Sequence, residues 1–306
     1  MMKRAQIVRA RLDGHPWTPY LFAAPVGIYL LLFQFYPLVQ QFYMSFTATD
    51  LLTPGVNPFV GFDNYRFLIE DGELWKVLSV TAIYTVACVV FAIGVGLGSA
   101  LLLDSPFFGR GIARALITIP WAAPSVAVAL VFTWIFNSQY GIFNRVLTGL
   151  GLPFGGENWL DDPKLALPAI LLTTIWQIFP FSSVVILAAL QGVPQELKEA
   201  AVIDGADRLN IFKTATWPTI QPTVLMLTLF VTIWSLRRFD LIWLMTQGGP
   251  IGATNTLVIE LYRQGFVYRD LGAAASIGMI GLSIALLVTV IYFKVTQMTE
   301  QAQGKR

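Results

Sequence analysis

The residues able to do chemistry in this chain are few, and they sit in apolar surroundings. Of 306 residues, one is Cys (Cys88) and one is His (His15). A disulfide framework, a Cys/His metal cluster or a Ser/His/Asp triad cannot be built from so little. Cys88 lies inside an apolar run, where a thiol is a packing group and a poor nucleophile. His15 precedes the first apolar segment and reads as a surface or interface residue. What remains is a set of polar side chains within long apolar stretches: Gln177, Ser182 and Ser183, then Trp234, Arg237, Arg238 and Asp240, then Ser276 and Ser283. Polar groups in such places are costly in lipid and mark solute or ion paths by default. Aromatic faces beside amides and hydroxyls suit a glycan. A plainer reading stays open for each. Ser in a membrane helix also serves as a small packing residue, and Trp near a span end as an interfacial anchor. Arg237 and Arg238 suit an anion, or Asp240 pairs with them.

The elements that position these residues follow from hydropathy. The chain is 56% hydrophobic and 12% charged, against about 25% charged in soluble domains. Too few charges remain to clothe a soluble surface, whereas lipid requires none. A net charge of +2 gives no argument for nucleic acid. A helix crosses the hydrocarbon core with about 20 apolar residues. Six stretches qualify, at about 19–46, 77–103, 112–136, 165–190, 223–245 and 271–293. The first is too long for a cleavable signal peptide and lacks a small-residue cleavage site. Pro25, Pro37, Pro120, Pro124 and Pro180 fall within spans, which suits packed helices that re-satisfy the freed carbonyls. With the segment 1–18 cytoplasmic, twelve Lys and Arg fall inside and six outside, while Arg237 and Arg238 lie within the fifth span. The positive-inside rule therefore places both termini, including the tail 294–306, in the cytoplasm. No GxxxxGK[ST] phosphate loop is present, so energy must come from a partner or an ion gradient.

The segment 191–222, between the fourth and fifth spans, is too polar to insert yet carries helix signals. Pro194 suits a first helical turn, and Glu196 lies near the positive end of the dipole. Leu197, Ala200 and Ala201 share a narrow apolar face. Gly205 breaks the helix, Asp207 caps a second one, and Pro218 and Pro222 lead into the fifth span. On these residues alone, a helix–turn–helix knob and a loop tucked against the bundle are both open.

The run Glu199-Ala200-Ala201, then Asp204-Gly205-Ala206, then Trp217-Pro218 resembles the EAA loop of ABC importer membrane subunits. That pattern is EAA, three residues, G, nine residues, then I-x-L-P; here Ala215 and Trp217 replace the usual Ile and Leu. Other strings resemble the carbohydrate-uptake branch, and specifically its MalF-like or glycerol-phosphate-permease-like subunits. They are Tyr36-Pro37-Leu38 with Ser45-Phe46, Phe59 to Tyr65 (FVGFDNY), Trp159 to Pro163 (WLDDP), Ile175-Trp176-Gln177, and Phe239 to Ile242 leading to Thr246 to Pro250 (TQGGP). The likeness covers about 19–293. It implies an all-α integral membrane protein with six transmembrane helices, the type I ABC importer permease fold. It implies a non-catalytic permease subunit of a binding-protein-dependent sugar importer in the bacterial inner membrane. The implied partners are a second, MalG-like permease, two ATPase subunits that bind ATP and Mg, and a periplasmic or lipid-anchored solute-binding protein. The chain itself would need no cofactor. The resemblance makes the loop the coupling helix that docks on the ATPase, with Glu199, Ala200, Ala201, Asp204, Gly205 and Ala206 as its site. For the solute path the candidates are Gln177, Ser182, Trp234, Arg238 and Asp240.

Three rivals are weighed against this reading. A secondary transporter wants an intramembrane carboxylate relay and inverted repeats, and Asp240 is the one acid placed well within a span. A membrane enzyme lacks a convergent acid, base and nucleophile set. An importer permease for a non-sugar solute, such as a polyamine or a phosphonate, shares the loop but not the full set of strings, while an anionic solute such as a sugar phosphate or a sulfonated sugar stays open as the alternative.

Overall fold

In the computed structural model, which describes residues 17–53, 55–152 and 157–304, the chain is helical almost throughout. His15, Lys3, Arg4, Arg9, Arg11, Lys305 and Arg306 lie outside the described residues. Among the described residues the strand-like pairings are two isolated bridges, Thr47–Phe59 and Asp50–Asp270. Five helices are long and apolar enough to cross a membrane: α1 (Pro19–Met44), α3 (Glu73–Asp104), α7 (Ala166–Gln191), α9 (Arg208–Leu236) and α12, of which Leu271–Thr299 qualifies. A bent pair, α4 (Arg110–Ala122) and α5 (Ser125–Ile135), makes a sixth if it is one span. The shorter elements are α2 (Asp63–Glu70), α6 (Ile142–Gly149), α8 (Gln195–Ile203), α10 (Asp240–Thr246) and α11 (Leu257–Tyr262). The last helix, α12, continues to Gly304.

The pair α3 and α7 forms the spine. Buried positions on α3 recur every three or four residues, from Val77 through Thr81, Tyr84, Cys88, Ala92 and Gly96 to Ala100, as one helical face must. The opposite face carries Ile83, Val86, Val90 and Phe91 exposed, which is tolerable only in a solvent of hydrocarbon. Lipid offers no hydrophobic drive between helices, so close packing of small residues does the work. A Cβ added at Gly96 would stand 2.7 Å from the Ser182 Cβ and 3.1 Å from the Ser183 backbone nitrogen. Ser99 Oγ donates to Ser183 Oγ at 3.0 Å, and the Tyr84 and Thr174 hydroxyls meet at 3.0 Å. At the end of α3, Arg114 and Arg110 reach back from α4 to the carbonyls of Leu103 (3.0 Å) and Asp104 (3.3 Å). They close the open carbonyl end where a cation is favoured.

Prolines shape the rest. The π turn Leu31–Phe35 lies just before Pro37, and a second, Phe212–Thr216, just before Pro218. A proline lacks the N–H that an α-helix needs four residues on, and a one-residue widening accommodates the lost bond. The stretch 112–136, expected as one span, is instead the α4–α5 pair, bent by 94°. Its cause is local. Ala123 precedes Pro124 and is extended (φ −72°, ψ 135°), because a residue before proline is pushed out of the helical region. The stretch 223–245 is also divided. Helix α9 ends at Leu236, Arg237 leaves the helical region (φ −101°, ψ 4°), and α10 begins at Asp240.

On the side of the bundle away from segment 191–222, Asn64 donates to the carbonyls of Ser45 and Thr47, each at 3.0 Å. Tyr65 donates to Ser45 Oγ at 2.8 Å, and Ser276 Oγ to the Ser45 carbonyl at 3.0 Å. This latch ties the end of α1 to α2 and α12.

Gly96→Val should force the spine apart. The expected cost is about 1–3 kcal/mol, as for overpacking elsewhere, read as a lower thermal midpoint of the detergent-solubilised protein. Gly98, which has nothing within 4 Å of an added Cβ, is the control: Gly98→Ala should leave the midpoint unchanged.

Candidate functional site

Both chain breaks open onto one cavity of about 510 Å³, lined by Trp121, Ala123, Pro124, Ser125, Gln177, Ile178, Trp234, Arg237, Arg238 and Asp240. The helix α7 supplies the link between them. Gln177, 5% exposed, donates through Nε2 to the Ala123 carbonyl at 3.1 Å and accepts from the Arg238 guanidinium through Oε1. One side-chain amide thereby satisfies a carbonyl at the first break and a cation at the second. Arg238 Nε also stands 3.5 Å from Asp240 Oδ1, an ion pair looser than a hydrogen bond. Beside this polar cluster runs an aromatic row. Trp121 and Phe181 have ring centroids 5.4 Å apart, and Phe181 and Trp234 5.0 Å apart.

Of the residues proposed from the sequence for a solute path, Gln177, Trp234, Arg238 and Asp240 are brought together here. Ser182 is not among the lining residues. It is fully buried against Gly96, and its hydroxyl has no partner. Ser183 is held by Ser99, Ser276 by the Ser45 carbonyl, and Ser283 by Met279 of its own helix. Trp121 and the Ala123-Pro124-Ser125 corner were absent from the sequence candidates; the signal for them was Pro124 in mid-stretch, three residues after a Trp.

The segment 191–222 is a helix–turn–helix. Pro194 is the N-cap of α8, and Asp204 its C-cap. Gly205 takes the left-handed conformation (φ +79°). Its N–H donates to the Val202 carbonyl at 3.0 Å, and the Ala206 N–H to the Ala201 carbonyl at 2.9 Å, the paired bonds of a Schellman turn. Asp207 then caps α9, its side chain accepting from the Asn210 N–H at 2.8 Å. The far end is anchored by buried Ala215 and half-buried Phe212 and Trp217, whose ring centroids are 6.1 Å apart. The outer surface stays uncovered. Glu199, Ala200, Asp204 and Gly205 are exposed, Ala201 and Ala206 half-buried. Val202, Ile203 and Leu209 are 60%, 85% and 60% exposed. Among the described residues, nothing within the chain covers these aliphatic side chains on an otherwise polar segment.

Comparison with known proteins identifies the family. Residues 90–299 match the family of binding-protein-dependent transport system inner membrane components. The chain belongs to that family. The permease is 35% identical to the sulfoquinovosyl glycerol transport system permease protein of Agrobacterium fabrum, over 90% of its own length and 89% of that relative's. It is also 35% identical to the trehalose/maltose transport system permease protein of Thermococcus litoralis, over 90% and 92% of the two chains. A chain in the crystal structure of a bacterial ABC transporter involved in the import of the acidic polysaccharide alginate shares its fold. The TM-score is 0.80 at 22% identity, covering 92% of the permease and 96% of that chain. Like its relatives, the permease is a membrane subunit and not itself a catalyst.

Gln177→Leu should leave the Ala123 carbonyl without its partner and Arg238 with Asp240 alone, at about 1–3 kcal/mol for the lost hydrogen bonds. Combined with Arg238→Met, the loss should fall short of the sum of the single losses by about 0.5–3 kcal/mol, as for residues in one network. Denaturation midpoints of the four proteins in detergent check this.

Proposed function

We propose that this permease is one of two unlike membrane subunits of an ATP-driven, binding-protein-dependent sugar importer in a bacterial inner membrane, the MalF-like partner of a related second permease. The observation that carries the reading is the cavity where Trp121 and Trp234 flank Gln177, Arg238 and Asp240. An aromatic row beside amide, guanidinium and carboxylate groups offers a sugar both faces for its rings and partners for its hydroxyls. A volume of about 510 Å³ falls within the roughly 300–1,000 Å³ of small-molecule sites. Sugar transport is in the names of the trehalose/maltose and sulfoquinovosyl glycerol relatives, and a related alginate importer is solved with its periplasmic protein.

In this reading both termini are cytoplasmic, as the Lys and Arg distribution favours. A binding protein delivers the sugar on the outer side. Two ATPase subunits, which hold the ATP and Mg, close on the inner side. The turn at Gly205 transmits their motion through α9, whose far end opens directly onto the cavity at Arg237. Glu199, Ala200, Ala201, Asp204, Gly205 and Ala206 form the surface that meets the ATPase. The exposed Val202 and Ile203 give that contact its apolar area.

Purification of the tagged permease in mild detergent from its native host should recover a second six-span permease and an ATPase carrying a Walker motif. Recovery of the chain alone would overturn the reading. Glu199 is exposed and its side chain makes no hydrogen bond or ion pair among the described residues. Glu199→Lys is therefore expected to leave the melting midpoint unchanged while transport falls roughly tenfold or more, the scale of a charge reversal at an interface. Normal uptake by that variant would remove Glu199 from the coupling surface.

A further inference from the structure

The charges that line the cavity do not balance within the chain. Asp240 is engaged by Arg238, whose side chain is only 16% exposed and is also held by Gln177. Arg237 lines the same cavity, is exposed, and has no side-chain partner among the described residues. A guanidinium cannot shed its proton, so it keeps its charge and five donors wherever it stands. Its other neighbour is apolar, a groove formed by Ile233, Leu236, Leu257 and Ile277, which compensates nothing. An uncompensated cation between apolar helices is expensive and calls for an anion.

Position supplies the second half of the argument. Arg237 follows Trp234 by three residues at the end of α9, a spacing that sets side chains as neighbours roughly 5–6 Å apart. A sugar ring stacked on Trp234 would present its exocyclic substituent to Arg237. Building on the sugar reading above, we infer that Arg237 selects an anionic sugar, one bearing a carboxylate, sulfonate or phosphate group on its ring substituent. The unit of Arg238, Asp240 and Gln177 is then a neutralised structural element that shapes the cavity, and Arg237 is the specificity residue.

The test uses the assembled importer in detergent and titrates its tryptophan fluorescence with glucose, glucuronate and glucose 6-phosphate. The wild type should bind one or both anionic probes more tightly than glucose, by roughly ten- to hundredfold, the range of a hydrogen bond to a charged group. Arg237→Gln should abolish that difference, whereas Arg237→Lys should retain part of it. Which anionic probe gains more separates a carboxylate from a phosphate site. Equal binding of glucose and both anionic probes by the wild type would overturn the inference while leaving the sugar reading standing. So would a preference that Arg237→Gln preserves. Loss of the second permease from the purified Arg237→Gln complex, with probe ratios unchanged, would assign the guanidinium to a carboxylate of that partner and overturn it too. No response to any of the three probes would sink the sugar reading along with it.

Discussion

Everything about this permease turns on how a chain can be broken inside an apolar bundle without leaving polar backbone stranded. A continuous helix satisfies its own N–H and C=O groups, and a break does not. This chain breaks twice, at Ala123–Pro124 and at Arg237–Phe239, and it places both breaks against one residue of an unbroken helix. Gln177 has a donor for the Ala123 carbonyl and an acceptor for Arg238. A purely apolar residue offers neither. The cavity lies where two interruptions meet one side chain, which satisfies a carbonyl at the first and a guanidinium at the second. Its shape depends on the rigidity of α7, which in turn depends on close contact with α3 across Gly96 and Ser182.

The segment 191–222 works by different rules. Its geometry is set by neighbours in sequence: Pro194 starts α8, Gly205 turns the chain, Asp207 restarts it. Little of the bundle is needed to hold that shape, and the aliphatic side chains it carries are spent on nothing within the molecule. The two ends of α9 therefore have opposite characters. One is a stiff turn facing outward; the other is a break at Arg237 that depends on tertiary partners.

That contrast explains what could be read from the sequence. Six apolar stretches and the turn at Gly205 were legible because length, hydropathy and local backbone chemistry decide them. Asn64 and Tyr65 stood out within a motif, and the structure gives them a physical task in holding the Ser45 turn. The breaks were harder. Pro124 signalled a kink, but hydropathy averages over too many residues to show a 94° bend, and the interruption at 237–239 contains neither Pro nor Gly. That Ser182 lies away from this cavity, and that Trp121 lines it without having been a candidate, has a related reason. The helix α7 is apolar on every side, so its pattern does not say which polar residue faces a cavity and which faces α3. Burial alone separates Gln177, bridging to a cavity wall, from Ser182, pressed against a glycine.

The helix α1 buries none of its apolar length inside this chain. Most of it can therefore sit in lipid without the helices that follow, and what it shares with them lies at its far end, where Gln41 stands against Gly278 of α12 and the Ser45 turn is latched. For a protein made from one end to the other, this sets an order of assembly. A segment of this kind can settle in the bilayer by itself as a finished element, consistent with insertion preceding helix association. The segments bearing Gln177 and Arg238 cannot: each carries a polar group that is at ease only after the other has arrived, sixty-one residues later in synthesis. Until then, Gln177 and the corner at Ala123 are the exposed points of the nascent chain, where a membrane chaperone would have something to hold.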